Sequence, residues 1–234
     1  MKKILVVFGV LLLIGSTVGM AYALAEPPSK ETLIRGVESV NRYSFTREVT
    51  FDQFHVMGIH NGTAPHVEKK FAYTGKVVAR GQVDLTGGTV KEYEEFYMNG
   101  TLVMSGNVTV NLRTGDVSGR VKLANGTVMD VVDFWKEYFG LSREEALLMF
   151  QENLPLVSLR KRLQEGGKVE IAENDPVGGR ILRGLGLEGK TYSYDIETPS
   201  GTTWTLTVDD RGRPVRFTSE GRNAKVVVVI KPTE

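Results

Sequence analysis

The chain has 234 residues, of which 41% are hydrophobic and 24% charged, with no cysteine and a formal net charge of +1. This composition excludes a disordered or collagenous polymer, a disulfide framework, a thiolate metal site and a cysteine nucleophile. The near balance of acids and bases gives no electrostatic case for a nucleic-acid partner.

The chain opens with Lys2 and Lys3, an apolar run from Ile4 to Ile14, and the small-residue sites Ala21-Tyr22-Ala23 and Ala23-Leu24-Ala25. That is the layout of a secretory signal peptide cleaved after Ala23 or Ala25. Ile4 to Ala25 is also long enough to remain as an uncleaved anchor across a bilayer core of roughly 30 Å. Under either reading residues 1–25 serve targeting, and residues 26–234 form one extracytoplasmic domain, secreted or tethered by the apolar segment. Four sequons, at Asn61, Asn99, Asn107 and Asn125, agree with that location as glycosylation candidates. Three of them are also Asn-Gly pairs, the favoured two-residue hairpin turn, and turn duty explains those without a glycan.

After Pro27-Pro28, Ser29 caps a predicted helix whose apolar stripe is Leu33, Ile34, Val37 and Val40. From Tyr43 the period becomes two. Tyr43, Phe45, Val49 and Phe51 alternate with polar residues as a half-buried strand, and the phase slips near Gln53, which predicts a bulge. Phe71 to Leu85 repeats the pattern, and Val90 to Met98 follows after a Thr86–Thr89 turn, less cleanly because of Glu92, Glu94 and Glu95. Asn99-Gly100 turns into Leu102, Met104, Val108, Val110 and Leu112, and Gly115 turns into Val117, Val121 and Leu123.

Helical spacing then takes over from Met129 to Leu163. Val131, Phe134, Trp135 and Tyr138 form one stripe, Ser142 to Glu145 reads as a capping box ahead of Ala146, Leu147 and Phe150, and Pro155 restarts the helix at Leu156. Strands return at Lys168–Ile171, Tyr192–Ile196, Trp204–Val208, Val215–Phe217 and Ala224–Ile230. No Ser-, Pro- or Gly-rich linker divides this series. The expectation is an α+β domain: a curved antiparallel sheet, a half-barrel, wrapped around a few helices.

The sequence offers several motifs. Gly184 to Thr191 satisfies the phosphate-loop pattern, yet Thr191 to Thr198 alternates as a strand where that loop needs a helix, so no nucleotide is expected. His55, His60 and His66 lie within twelve residues, but a spacing of five places His55 and His60 on opposite faces of a strand, so no metal is expected. Glu92 and Glu94 share a strand face and have the spacing of paired carboxylates. Cross-strand pairing with Lys76 and Arg80 on a solvent face is the simpler account of the glutamate cluster. Arg160-Lys161-Arg162 reads as a solvated helix face, or as a contact to anionic headgroups at a membrane surface. No acid, base and nucleophile converge, so neither enzymatic activity nor a cofactor is expected.

The N-terminal helix running into Tyr43-Ser44-Phe45-Thr46, the meander from Gly75 to Leu112, and the late hairpin Thr202–Asp209 leading through Gly212-Arg213-Pro214 to Val215-Arg216-Phe217 together resemble the lipoprotein-carrier superfamily of LolA-like and LppX-like lipid-binding proteins. The chain lacks the lipid-attachment cysteine of the lipoprotein members. The resemblance implies an apolar cavity between sheet and helices that carries a lipid, an acyl chain or a lipidated protein. On the dry faces its lining would be Tyr73, Val77, Met104, Val108, Val110, Trp204 and Leu206, opposite Leu33, Val37, Phe134 and Leu147. The competing reading is a cell-surface structural or protein-interaction module in which the same residues pack a filled core.

Overall fold

The computed structural model describes residues 27–54, 73–164, 169–174, 191–197, 203–221 and 223–233. The helices among them are α1 (Lys30–Ser39), α2 (Val131–Phe139), α3 (Arg143–Glu152) and α4 (Pro155–Gln164). The first strands are β1 (Arg42–Phe54), β2 (Tyr73–Asp84), β3 (Thr89–Met98), β4 (Thr101–Asn111), β5 (Asp116–Leu123) and β6 (Val128–Asp130). The later ones are β7 (Val169–Asn174), β8 (Thr191–Glu197), β9 (Thr203–Asp209), β10 (Pro214–Glu220) and β11 (Ala224–Pro232).

These strands form one 11-stranded sheet in the order β6-β5-β4-β3-β2-β1-β11-β10-β9-β8-β7. Two meanders are therefore joined where β1 pairs with β11, Tyr43 opposite Pro232 through to Phe51 opposite Ala224. The bulge expected near Gln53 is a register shift between Phe51 and Phe54 against β2. At the β3–β4 turn, Asn99 (φ 49°) and Gly100 (φ 78°) have the paired positive φ that a two-residue hairpin demands.

The expectation of a half-barrel wrapped around helices is corrected by this topology. The sheet is open, with β6 and β7 as its two edges, and it does not close into a barrel. Helix length gives the physical reason. Each helix has nine or ten residues, or about 15 Å at 1.5 Å per residue. Eleven strands at a spacing of about 4.8 Å span nearly 50 Å, so the helices lie on parts of one face instead of filling a trough.

Two apolar clusters result, bridged by the half-buried Val108 and Val117. The larger joins Leu33 and Val37 of α1, Leu154, and Leu156, Leu159 and Leu163 of α4 to Tyr43, Phe45, Tyr194, Ile196, Leu206, Phe217 and Ile230 of the sheet. Helix α1 begins with the Ser29 hydroxyl accepting the Thr32 N–H at 3.3 Å. It lies so close to the β9–β10 turn that a Cβ on Gly36 would stand 2.3 Å from the Gly212 carbonyl oxygen. Its last turn has no basic residue of its own. Arg160 of α4 supplies the cation, donating to the carbonyls of Val37 (3.2 Å), Glu38 (3.2 Å) and Val40 (3.1 Å). Arg160 is thus a cap on α1 and not part of a solvated basic run.

The smaller cluster has only Val121, Val131 and Phe134 fully buried, with Met104, Val108, Met129 and Trp135 partly buried around them. Asp130 caps α2 by accepting the Val132 N–H at 2.8 Å, so β6 ends where the helix begins. Gly140 ends α2 in the left-handed conformation (φ 66°), and Ser142 with Glu145 forms the expected capping box of α3.

Candidate functional site

Strand register fixes what lies between the two clusters. On the dry face, Arg47 of β1 pairs with Ala79 of β2, Ala79 with Glu94 of β3, and Glu94 with Gly106 of β4. One step along, Phe45 pairs with Gly81 and Gly81 with Glu92. Because β2 offers only a methyl and a hydrogen in these rows, side chains from β1 reach across it. Phe45 lies over Gly81, where an added Cβ would stand 2.4 Å from the ring. Arg47 reaches both glutamates.

The Arg47 Nη2 is 2.6 Å from Glu92 Oε1 and 3.6 Å from Glu94 Oε2. Its Nη1 donates to the carbonyl of Asn153, the C-cap of α3, at 3.2 Å. The Glu92 side chain is 4% exposed, Arg47 20% and Glu94 36%, so the strip runs from the interior towards solvent. Burial pushes the Glu92 carboxyl up to about 7, with Arg47 opposing the shift and Glu94 adding to it. Burial raises Glu94 as well, again against Arg47. Glu92 therefore exchanges its proton near neutrality. It accepts hydrogen bonds when charged and donates one when neutral.

Above this strip is a cavity of about 120 Å³. Met104, Val108 and Val121 form its sheet side, and Phe134, Trp135 and Phe150 its helix side, with Arg47, Glu92 and Glu94 along one wall. The helices over it also turn apolar groups to water: Phe139 is 60% exposed, Leu148 59%, Met149 49% and Tyr138 44%.

The residues expected to line a cavity divide. Met104, Val108 and Phe134 line this cleft. Leu33, Val37, Val110, Trp204 and Leu206 are buried in the larger cluster, against which Leu147 packs half-buried. Val77 is half-buried in β2, and the side chain of Tyr73 lies outside the described residues. The glutamates depart from the solvent-face account. Glu92 and Glu94 face the helices, whereas Glu95 faces the other way and accepts the hydroxyls of Tyr93 (3.2 Å) and Tyr97 (3.0 Å). Lys76 pairs with Glu48 at 2.9 Å. The residues missed were Arg47, Trp135 and Phe150. For Arg47 a signal existed, because it has the parity of Tyr43, Phe45 and Val49, as Glu92 and Glu94 have that of Val90 and Phe96. Opposite charges at dry positions of two strands predict a buried pair.

The sequons at Asn99, Asn107 and Asn125 are exposed, with their side-chain oxygens accepting the N–H groups of Thr74, Arg120 and Thr127. Asn61, the three histidines, residues 1–26 and Gly184 to Lys190 lie outside the described residues, while Thr191 opens strand β8. No described helix is long and apolar enough to cross a membrane.

No family model matches the chain, and no curated protein matches it. Among solved structures, it is similar to a beta-barrel-like protein of the domain of unknown function DUF1849 from Brucella abortus, at 11% identity and a TM-score of 0.33, covering 83% of this chain and 99% of that one. It is also similar to a DUF1329 family protein from Desulfovibrio piger, at 12% identity and a TM-score of 0.27, covering 88% and 92%.

Proposed function

We propose that this protein is an extracytoplasmic, non-catalytic binder of an amphiphile, such as a lipid or the acylated end of another protein, taken up under α2 and α3. The observation that carries this reading is the cleft itself. An apolar wall faces a buried ion pair, and the covering helices expose Phe139, Leu148 and Met149 to water. An amphiphile needs both kinds of surface, and a purely structural core needs neither the ion pair nor the exposed apolar groups. At about 120 Å³ the cleft is below the roughly 300 Å³ of ordinary ligand pockets. A chain therefore enters only as α2 moves outward, where Val131 and Phe134 hold it against Val121, while α3 stays packed on the larger cluster through Leu147 and Phe150.

Native mass spectrometry of the secreted protein with added palmitate, lysophospholipid and a lipopeptide tests the reading. One bound ligand per chain is expected, with uptake lost in Met104→Trp, which fills the cleft, and kept in Val228→Ile in the other half of the sheet. No uptake of any of the three rejects it and leaves a surface interaction module with a filled core.

A further inference from the structure

The opposite face of the sheet carries a different feature, at the junction of the two meanders. One row across four adjacent strands reads Lys231 (β11), Ser44 (β1), Gln82 (β2) and Lys91 (β3) by register. The next row places Thr46 beside Arg80, and Arg80 beside Tyr93. These side chains line a groove of about 550 Å³ on the polar face. We infer that this groove is a binding site for a phosphate-type oxyanion, with Lys91 and Lys231 closing on it from both ends, Arg80 beside it, and Ser44, Thr46 and Gln82 as neutral donors.

Three observations support the assignment. The first is charge. Lys91, Lys231 and Arg80 are exposed, and none makes an ion pair among the described residues. The neighbouring carboxylates are engaged elsewhere. Asp84 pairs with Arg42 at 3.1 Å, Glu48 pairs with Lys76, and Glu95 accepts two tyrosine hydroxyls. Glu92 contributes only its backbone to the groove, because its side chain faces the helices.

The second is spacing. Lys91 and Lys231 are three strand spacings apart, about 14 Å at 4.8 Å each. Their flexible four-carbon stems are long enough to reach inward over Ser44 and Gln82, which lie between them by register. The third is cost. Arg80 and Lys91, diagonal to each other on adjacent strands, repel, and an anion seated beside them removes that repulsion. Hydroxyl and amide groups at the floor supply hydrogen bonds that a bare basic patch lacks.

The test is calorimetric titration of the full chain with sodium tripolyphosphate at low ionic strength, where such charges are least screened. A parallel arm measures binding to phosphatidylcholine vesicles with and without phosphatidic acid. The variant Lys91→Gln/Lys231→Gln is compared with Lys30→Gln/Lys122→Gln, which sheds the same charge from exposed positions outside the groove. We expect affinity to fall about tenfold or more in the groove variant, equivalent to one charged hydrogen bond lost, and less than about twofold in the control. Tripolyphosphate binding with that pattern supports the site with a soluble ligand. Binding to phosphatidic-acid vesicles alone, with that pattern, supports it with a lipid headgroup as the source. No binding in either arm, or an equal loss in both variants, overturns it. Both outcomes are independent of acyl-chain uptake beneath α2 and α3, because the groove lies on the other face.

Discussion

Helices α1 and α4 press leucines onto buried apolar side chains of the sheet, whereas α2 and α3 lie beside an arginine and two glutamates. Both pairs cover the same face of one sheet, so the difference lies in the rows beneath them. Under α1 and α4 the dry positions are Tyr43, Tyr194, Leu206, Phe217 and Ile230, all buried. Under α3 they are Arg47, Glu92 and Glu94, and the apolar cluster beyond that strip has only three fully buried residues. A sheet this wide does not need one continuous core. One half supplies stability, and the other is more loosely covered over a buried ion pair.

The largest expected effect tests that division directly. Leu156→Ala removes a fully buried side chain from the larger cluster and should lower global stability by about 4 kcal/mol, the range for a buried leucine truncation. Val131→Ala, in the smaller cluster, should cost about 1 kcal/mol and act mainly on local opening. Urea unfolding together with hydrogen exchange checks both. Amides of α2 should exchange faster than those of α4 in the wild type, and Val131→Ala should widen the gap. Equal protection of the two helices would erase the proposed distinction.

The buried strip gives the next effect through pH. Glu92 titrates at about 7 when folded, against an ordinary 4.5 when unfolded, so the folded state holds its proton more tightly. The resulting stabilisation is complete below about pH 4.5 and is lost as the pH rises through about 7. At about 1.4 kcal/mol per unit, the swing is on the order of 3 kcal/mol. Glu92→Gln cannot ionise and should lack this loss, so its stability relative to wild type improves from pH 4.5 to 8. Thermal melts at several pH values read it, and a constant difference would place the Glu92 titration elsewhere. Arg160→Met is smaller: withdrawing its three bonds to carbonyls at the end of α1 should cost about 1.5 kcal/mol in urea unfolding.

Local patterns announced most of the elements. The period-two runs gave the strands of both meanders, Asn99-Gly100 its turn, Ser29 and Ser142 their caps, and Pro155 the start of α4. Each of these depends on residues near one another in sequence. Wrapping did not follow, because helix length against sheet width decides it, and the sequence does not show which strands become neighbours. The β1–β11 pairing joins residues nearly the whole described chain apart, and it alone brings Lys231 next to Ser44. The buried strip was partly legible. Parity places Glu92 and Glu94 with Val90 and Phe96, but it is Ala79 and Gly81 on the intervening strand that let Arg47 reach them. Trp135 and Phe150 became cleft residues only through helix packing, which periodicity does not specify.

Two buried tyrosines test how dry the larger cluster is, with the smallest effects of the series. Tyr194 donates its hydroxyl to the Pro28 carbonyl at 2.7 Å, tying the segment before α1 to β8. The Tyr43 hydroxyl, also fully buried, has only a poorly aligned contact with the Leu156 backbone and no hydrogen bond of good geometry among the described residues, and burial holds its ionisation far above the ordinary tyrosine value. A buried hydroxyl left unmatched costs free energy, and deleting it returns that cost, whereas deleting a matched one strands its acceptor. Tyr194→Phe should therefore lose about 1 kcal/mol in urea unfolding, and Tyr43→Phe should be neutral or gain up to about 1 kcal/mol. If both substitutions cost the same, water reaches Tyr43, and the half of the sheet under α1 and α4 is wetter than its packing implies. That result would narrow the contrast with the half under α2 and α3 to the ion pair alone.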